Sequence, residues 1–169
     1  MQRLSNLLII SFLCLALSSC VTFDDRARGK LSGSKGSGVF TKSRLKLVSP
    51  ITTNYRITQR FRPKRNRKHQ GIDLAGKKGS PIFSAGSGRV VYVGRRFSGY
   101  GKMVLIDHGK GVATLYSHLN KYFVRSGQTV HRRQIIGTMG RTGRATGVHL
   151  HFEVMEDKIP INPEFYIRF

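Results

Sequence analysis

The stretch Gly147-Val148-His149-Leu150-His151-Phe152-Glu153-Val154 decides how the rest of the chain is read. Val148, Leu150, Phe152 and Val154 alternate strictly with His149, His151 and Glu153, the period-two pattern of a strand with one face in a core. His149 and His151 then leave the same face of one strand, about 7 Å apart along it. Two imidazoles on a rigid strand are half of a metal site. An ordinary half-exposed strand with two surface histidines shows the same pattern, so the choice falls to the rest of the sequence.

Outward from this stretch the chain reads as short apolar segments between glycine turns. Pro81 to Ala85, Arg89 to Val93, Lys102 to Asp107, Val112 to Ser117 and Gln134 to Ile136 have strand character, and Gly86-Ser87-Gly88, Ser98-Gly99-Tyr100-Gly101 and His108-Gly109-Lys110-Gly111 are the turns between them. Hydrophobic residues make up 39% of the 169, enough for one core, and no long helical periodicity follows residue 20. The expected fold is mostly β: a compact antiparallel sheet, sandwich or open barrel.

Residues 1–19 differ from all the rest. Arg3 precedes an apolar run from Leu7 to Leu17 that is too short for a permanent membrane span and fits an export signal. The small residues before Cys20 resemble a bacterial lipoprotein signal, with cleavage before the cysteine and lipidation on it. Cys14 would leave with the signal, and a single remaining cysteine excludes an internal disulfide. Val21 is not the aspartate associated with inner-membrane retention, which suits an outer-membrane anchor facing the periplasm. An anchor on the outside of a single cell membrane is the alternative. Residues 20–47, with Ser32-Gly33-Ser34-Lys35-Gly36-Ser37-Gly38 at their centre, read as a flexible linker reaching about 30 Å. The folded domain is expected over residues 48–169.

Thirty Lys and Arg stand against eight Asp and Glu, a net charge of +22. Such an excess speaks of partners rather than fold. The export signal sets nucleic acid aside in favour of anionic wall polymer or membrane surface. The densest group is Arg60, Arg62, Lys64, Arg65, Arg67 and Lys68; Arg95-Arg96, Arg132-Arg133 and Arg141 with Arg144 are others.

Six histidines supply the chemistry. His69 opens His69-Gln70-Gly71-Ile72-Asp73, and His118 follows Leu115-Tyr116-Ser117, on the strand face of Tyr116. A catalytic zinc site needs three protein ligands and an open position for water. His69, Asp73 and one of the His149/His151 pair would complete one, with nitrogen and oxygen donors suited to zinc in an exported protein. His118 and the other member of the pair would remain beside it, to take up a proton or stabilise an oxyanion. His108 sits in a turn and reads as structural, and His131 beside Arg132-Arg133 reads as surface.

His69-x-x-x-Asp73, Leu115-Tyr116-Ser117-His118-Leu119 and Gly140 to Val154, in this order and spacing, resemble the lysostaphin-like (LytM-type) zinc metallopeptidases that cut peptidoglycan peptides. The resemblance covers roughly residues 50–165. It implies an antiparallel β core crossed by a groove, one Zn2+ per chain on His69, Asp73 and His151, and catalytic roles for His149 and His118. Spacing by itself does not decide which of His149 and His151 holds the metal. Tyr116 and Arg62 are candidates for contact with substrate or wall. Phe61-Arg62 departs from the Phe-Gly often found in the family, so a large basic side chain stands on that wall. The implied function is hydrolysis of peptidoglycan cross-links. The rivals are a regulator that has lost activity and activates cell-wall amidases, against which all five positions are filled, and a basic lipoprotein that only binds the wall.

Overall fold

A computed structural model gives the fold and describes residues 45–62 and 69–169. The signal, Cys20, most of the linker and Lys64, Arg65, Arg67 and Lys68 lie outside the described residues.

Eleven strands and one short 3-10 helix are found among the described residues: β1 Arg56–Gln59, β2 Ile72–Ala75, β3 Pro81–Phe83, β4 Gly88–Gly94, β5 Met103–Asp107, β6 Val112–Ser117, β7 Lys121–Tyr122, β8 Thr129–Val130, β9 Ile135–Thr138, β10 His149–Glu156, β11 Ile159–Ile161 and the helix Pro163–Phe165. Seven strands form one antiparallel path, β1-β2-β10-β6-β5-β4-β8, with β11 paired to the far end of β10, while β3-β9-β7 form a smaller sheet. The apolar segments of the sequence became β3, β4, β5, β6, β9 and β10. Strands β1, β2, β7, β8 and β11 are two to four residues long, too short for alternation to stand out.

The alternation in β10 does what it predicts. Leu150, Phe152 and Val154 are wholly buried, together with Ile72 and Leu74 of β2, Val104 and Ile106 of β5, and Ile82 and Ile136 of the small sheet. The two sheets therefore share one core, to which truncation of a side chain such as Phe152 would cost about 3–5 kcal/mol. Leu47 is also buried and Leu45 packs against the core, while the Val48 N–H donates to the Ala85 carbonyl at 2.9 Å. The fold thus takes in the last residues of the expected linker.

Two expectations need correction. Tyr116 is wholly buried, its ring tilted against that of Phe152 at 5.3 Å, and its hydroxyl accepts the Ala85 N–H at 2.8 Å and lies 2.8 Å from Thr114 Oγ1. It is a core residue with its polar end satisfied inside, and no substrate or wall reaches it. Nor do Tyr116 and His118 share a face. β6 ends at Ser117, and His118 has a φ of 59°, which breaks the alternation and swings its ring to the other side of the sheet.

Candidate metal centre

Asp73 and His151 are register partners across β2 and β10. They occupy the face opposite Ile72, Leu74, Leu150 and Phe152, so the alternation that seals the core also aims them outward. His69 comes from the chain just before β2. A two-way backbone bridge to Arg62 holds it, with N···O distances of 2.9 and 3.1 Å. Three donor atoms meet there: His69 Nε2 and Asp73 Oδ1 are 3.0 Å apart, His69 Nε2 and His151 Nδ1 3.1 Å, and His151 Nδ1 and Asp73 Oδ1 2.7 Å.

The far nitrogen of each ring shows where its hydrogen is. His69 Nδ1 lies 3.0 Å from the Arg60 carbonyl, which can only accept, so the hydrogen is on Nδ1 and Nε2 turns a lone pair inward. His151 Nε2 donates to Glu153 Oε1 at 2.9 Å, leaving the Nδ1 lone pair inward. Two lone pairs and a carboxylate oxygen thus converge with no donor of their own between them. That donor set fits a divalent cation with one position left open, the arrangement of a catalytic zinc. The same atoms attract positive charge in any form. Burial opposes a charge on His151, but Asp73 and Glu153 outweigh it and push its pKa up to about 9. Burial likewise works to raise the Asp73 pKa, but the adjoining His151 and His69 rings, whenever either carries a proton, outweigh it and hold the carboxyl well below the usual range.

Two further imidazoles stand beside this cage. His149 Nδ1 donates to the Gly147 carbonyl at 3.0 Å, and its Nε2 faces Asp73 Oδ2 at 3.8 Å. His118 Nδ1 donates to the Thr142 carbonyl at 2.7 Å, and its ring lies 4.6 Å from that of His149. Among the described residues, each therefore keeps its Nε2 without a hydrogen-bond partner. Burial drives the His118 pKa down to about 4, opposed by the Thr142 carbonyl and reinforced by the neighbouring histidines. The ring is neutral, and able to accept a proton, at physiological pH.

Sequence reasoning passed over three residues that hold this arrangement. Glu153 is 2% exposed and is shared between His151 and the Tyr100 hydroxyl, which donates to the same Oε1 at 2.9 Å. Burial and the Glu153 charge both raise the Tyr100 pKa, so the phenol stays a donor. The strand pattern already put Glu153 on the face of His151; nothing in the sequence pointed to Tyr100, which arrives from a turn. Thr142 is the third: its carbonyl orients His118, and its hydroxyl accepts the Lys102 N–H and donates to the Leu119 carbonyl, each at 2.9 Å.

The cage opens into a cleft of about 400 Å³, with Gln59 and Gln70 on one part of its lining and Ser98, Gly99, Tyr100, Arg144 and Thr146 on another. The loops carrying Tyr100 and Thr142 touch backbone to backbone. A Cβ on Gly143 (φ 73°) would stand 2.4 Å from Gly101 N, and Arg144 N–H donates to the Gly99 carbonyl at 2.9 Å. Only glycine permits that approach. Of the other sequence candidates, Arg62 is exposed beside His69, and His131 is exposed. His108 is structural, between the Ser87 carbonyl at 2.9 Å and Thr114 Oγ1 at 2.7 Å.

Known proteins resemble this chain in sequence and in fold. Residues 67–163 match the model of Peptidase family M23. The chain is 40% identical over 120 residues to the peptidoglycan DD-endopeptidase ShyA of Vibrio cholerae, a match covering 67% of this chain and 28% of ShyA. A crystal structure of a zinc-containing peptidase from Vibrio cholerae superposes with a TM-score of 0.64 at 38% identity, over 68% of this chain and 37% of that one. The catalytic domain of the antimicrobial peptidase lysostaphin from Staphylococcus simulans superposes with a TM-score of 0.62 at 30% identity, over 66% of this chain and 91% of that domain. The chain thus spans well under half the length of the two Vibrio relatives, and its antiparallel core is the lysostaphin-type fold. With the match extending over more than half of its residues, the chain belongs to peptidase family M23.

Proposed function

We propose that this chain is a zinc-dependent endopeptidase that hydrolyses peptide cross-links of peptidoglycan. The observation that carries the reading is the convergence of His69 Nε2, Asp73 Oδ1 and His151 Nδ1 within 3.1 Å of one another, next to two imidazoles whose Nε2 atoms have no hydrogen-bond partner among the described residues. His69, Asp73 and His151 would hold the zinc, which would supply a Lewis acid that makes a water acidic enough to ionise near neutral pH.

The remaining steps fall to the chain's own side chains. His149 and His118 have their Nδ1 hydrogens committed to carbonyls, so Nε2 of either ring is the atom that takes the proton from the attacking water. The ring that took it then returns it to the amine that leaves. Asp73 balances positive charge in the cage, and Glu153 holds the His151 tautomer. The cleft orients an extended peptide across the four histidines. Support for a peptidoglycan substrate comes from the likeness to ShyA.

The same reading has the chain exported and lipidated at Cys20. It rests on the apolar run before Cys20, and on Val21 for an outer-membrane anchor facing the periplasm. The basic clusters would then hold the domain against anionic wall or membrane polymers, an attraction that salt weakens.

The test is to measure bound zinc and to digest purified peptidoglycan with wild type and His149→Ala, identifying products by mass spectrometry. Wild type is expected to carry one zinc and to release cross-link peptides, and the variant to carry zinc and release almost none. A wild type that binds no zinc and cuts nothing would leave the amidase-regulator reading standing instead.

A further inference from the structure

The cleft has a charge that the chemistry above does not use. Arg144 is the one lysine or arginine among its described lining residues. The cleft's own carboxylates, Asp73 and Glu153, are taken up by histidines, and no carboxylate among the described residues pairs with Arg144. Its backbone is fixed: the N–H donates to the Gly99 carbonyl, and the preceding residue is the Gly143 that abuts Gly101. The side chain runs over Gly99, its Cδ standing 3.9 Å from where a Cβ there would be. Arg141, three residues earlier on the same loop, makes a useful contrast. It does not line the cleft, and its Nε reaches the Ala145 carbonyl at 3.4 Å.

We propose that Arg144 is a specificity-determining residue: its guanidinium receives a free carboxylate of the peptide lying in the cleft, so that the site selects acidic peptides over their neutral counterparts. This rests on the reading of the cleft as a peptidase site and narrows its substrate class. A guanidinium on a rigid wall meets a carboxylate with two parallel N–H···O bonds, which an ammonium or a neutral side chain cannot reproduce. Peptidoglycan cross-links between D-alanine and a diamino acid offer two such carboxylates near the amide, one on the diamino acid and one on a terminal D-alanine. Either presents the same chemistry to Arg144.

The experiment uses the full chain with zinc and three synthetic cross-linked peptides: one with both carboxylates free, one amidated at the diamino acid, and one amidated at the terminal D-alanine. Binding by titration calorimetry and kcat/KM are measured for wild type, Arg144→Ala, Arg144→Lys and Arg141→Ala. Wild type is expected to favour the free peptide over one of the amidated forms by about tenfold or more in both readouts, and that form identifies the carboxylate. Arg144→Ala should bring the ratio close to one, Arg144→Lys should restore it in part, and Arg141→Ala should keep the wild-type ratio. Equal zinc content in all four confirms that the site is intact. Cleavage of all three peptides alike by wild type, or an unchanged ratio in Arg144→Ala, overturns the proposal and leaves the peptidase reading in place. Selective binding without cleavage does the reverse. Neither selective binding nor cleavage overturns both.

Discussion

Asp73 and His151 face each other across the β2–β10 ladder, with Oδ1 2.7 Å from Nδ1. The pairing of two strands, rather than a flexible loop, sets the two central candidate ligands of the cage. Asp73→Ala and His151→Ala should therefore lose bound metal and about a thousandfold or more of kcat/KM, the scale of the several kcal/mol that a Lewis acid contributes. Metal content by atomic spectroscopy and peptidoglycan release check this. Chelation should reproduce the loss in wild type, and added zinc should reverse it there but not in the variants.

Replacing the two other imidazoles should separate chemistry from metal binding. His118→Ala and His149→Ala are expected to keep their zinc and to lose about 10²–10⁴-fold in turnover, as for removal of a proton-transfer group. Loss of zinc from either variant would mean that the ring binds metal and that the ligand assignment is wrong.

Glu153 touches the candidate cage only at one remove, through His151 Nε2. Glu153→Gln keeps the shape but removes the charge that fixes the ring's tautomer. Competition with a chromogenic chelator should show zinc affinity about 10–100-fold weaker. Tyr100→Phe, which leaves Glu153 its histidine partner, should cost less.

The abutting backbones of Gly101 and Gly143 make the cleft wall sensitive to a single methyl group. Gly143→Ala places a Cβ 2.4 Å from Gly101 N at a φ of 73°, and should lower stability by about 1–3 kcal/mol. It should also slow hydrolysis, since the adjacent Thr142 carbonyl would no longer hold His118. Gly147→Ala, where a Cβ meets nothing within 4 Å, is the matched control for thermal unfolding and should change little.

His108 gives the fold a pH dependence independent of the cleft. Burial lowers its pKa below the ordinary 6.5, against the opposing pulls of the Ser87 carbonyl and Asp107. As pH falls, the unfolded chain takes the proton first. The stability contributed by the neutral ring is thus present above about 6.5 and lost below it. His108→Gln should be about 1–2 kcal/mol less stable than wild type in urea near neutral pH. The gap should narrow steadily as the pH is taken toward 5.

Much of this was legible in the sequence because the informative residues lie on long strands. Alternation in β10 exposed both the core face and the histidine face, and the three separated motifs singled out the candidate set of His69, Asp73 and His151 where spacing left His149 and His151 open. Tyr116 was misread for a definite reason. Two residues apart on a strand share a face only while the backbone stays extended, and His118 leaves that conformation. Tyr100 and Thr142 were invisible because they act through one phenol and one carbonyl at the ends of turns, where no periodicity marks them. Glu153 was in plain view on the correct face, but a strand pattern does not distinguish an outward glutamate in solvent from one roofed by a tyrosine.

The lodging of β10 between two neighbours has a consequence for assembly. A slip of one residue in its pairing would send Leu150 and Phe152 into the cleft and drive His149, His151 and Glu153 into the apolar interior. Such a mispaired chain forfeits its hydrophobic contacts and its cation-binding atoms together. Correct hydrophobic closure thus serves as proofreading for the candidate metal centre, and zinc uptake would be a reporter of native strand registration.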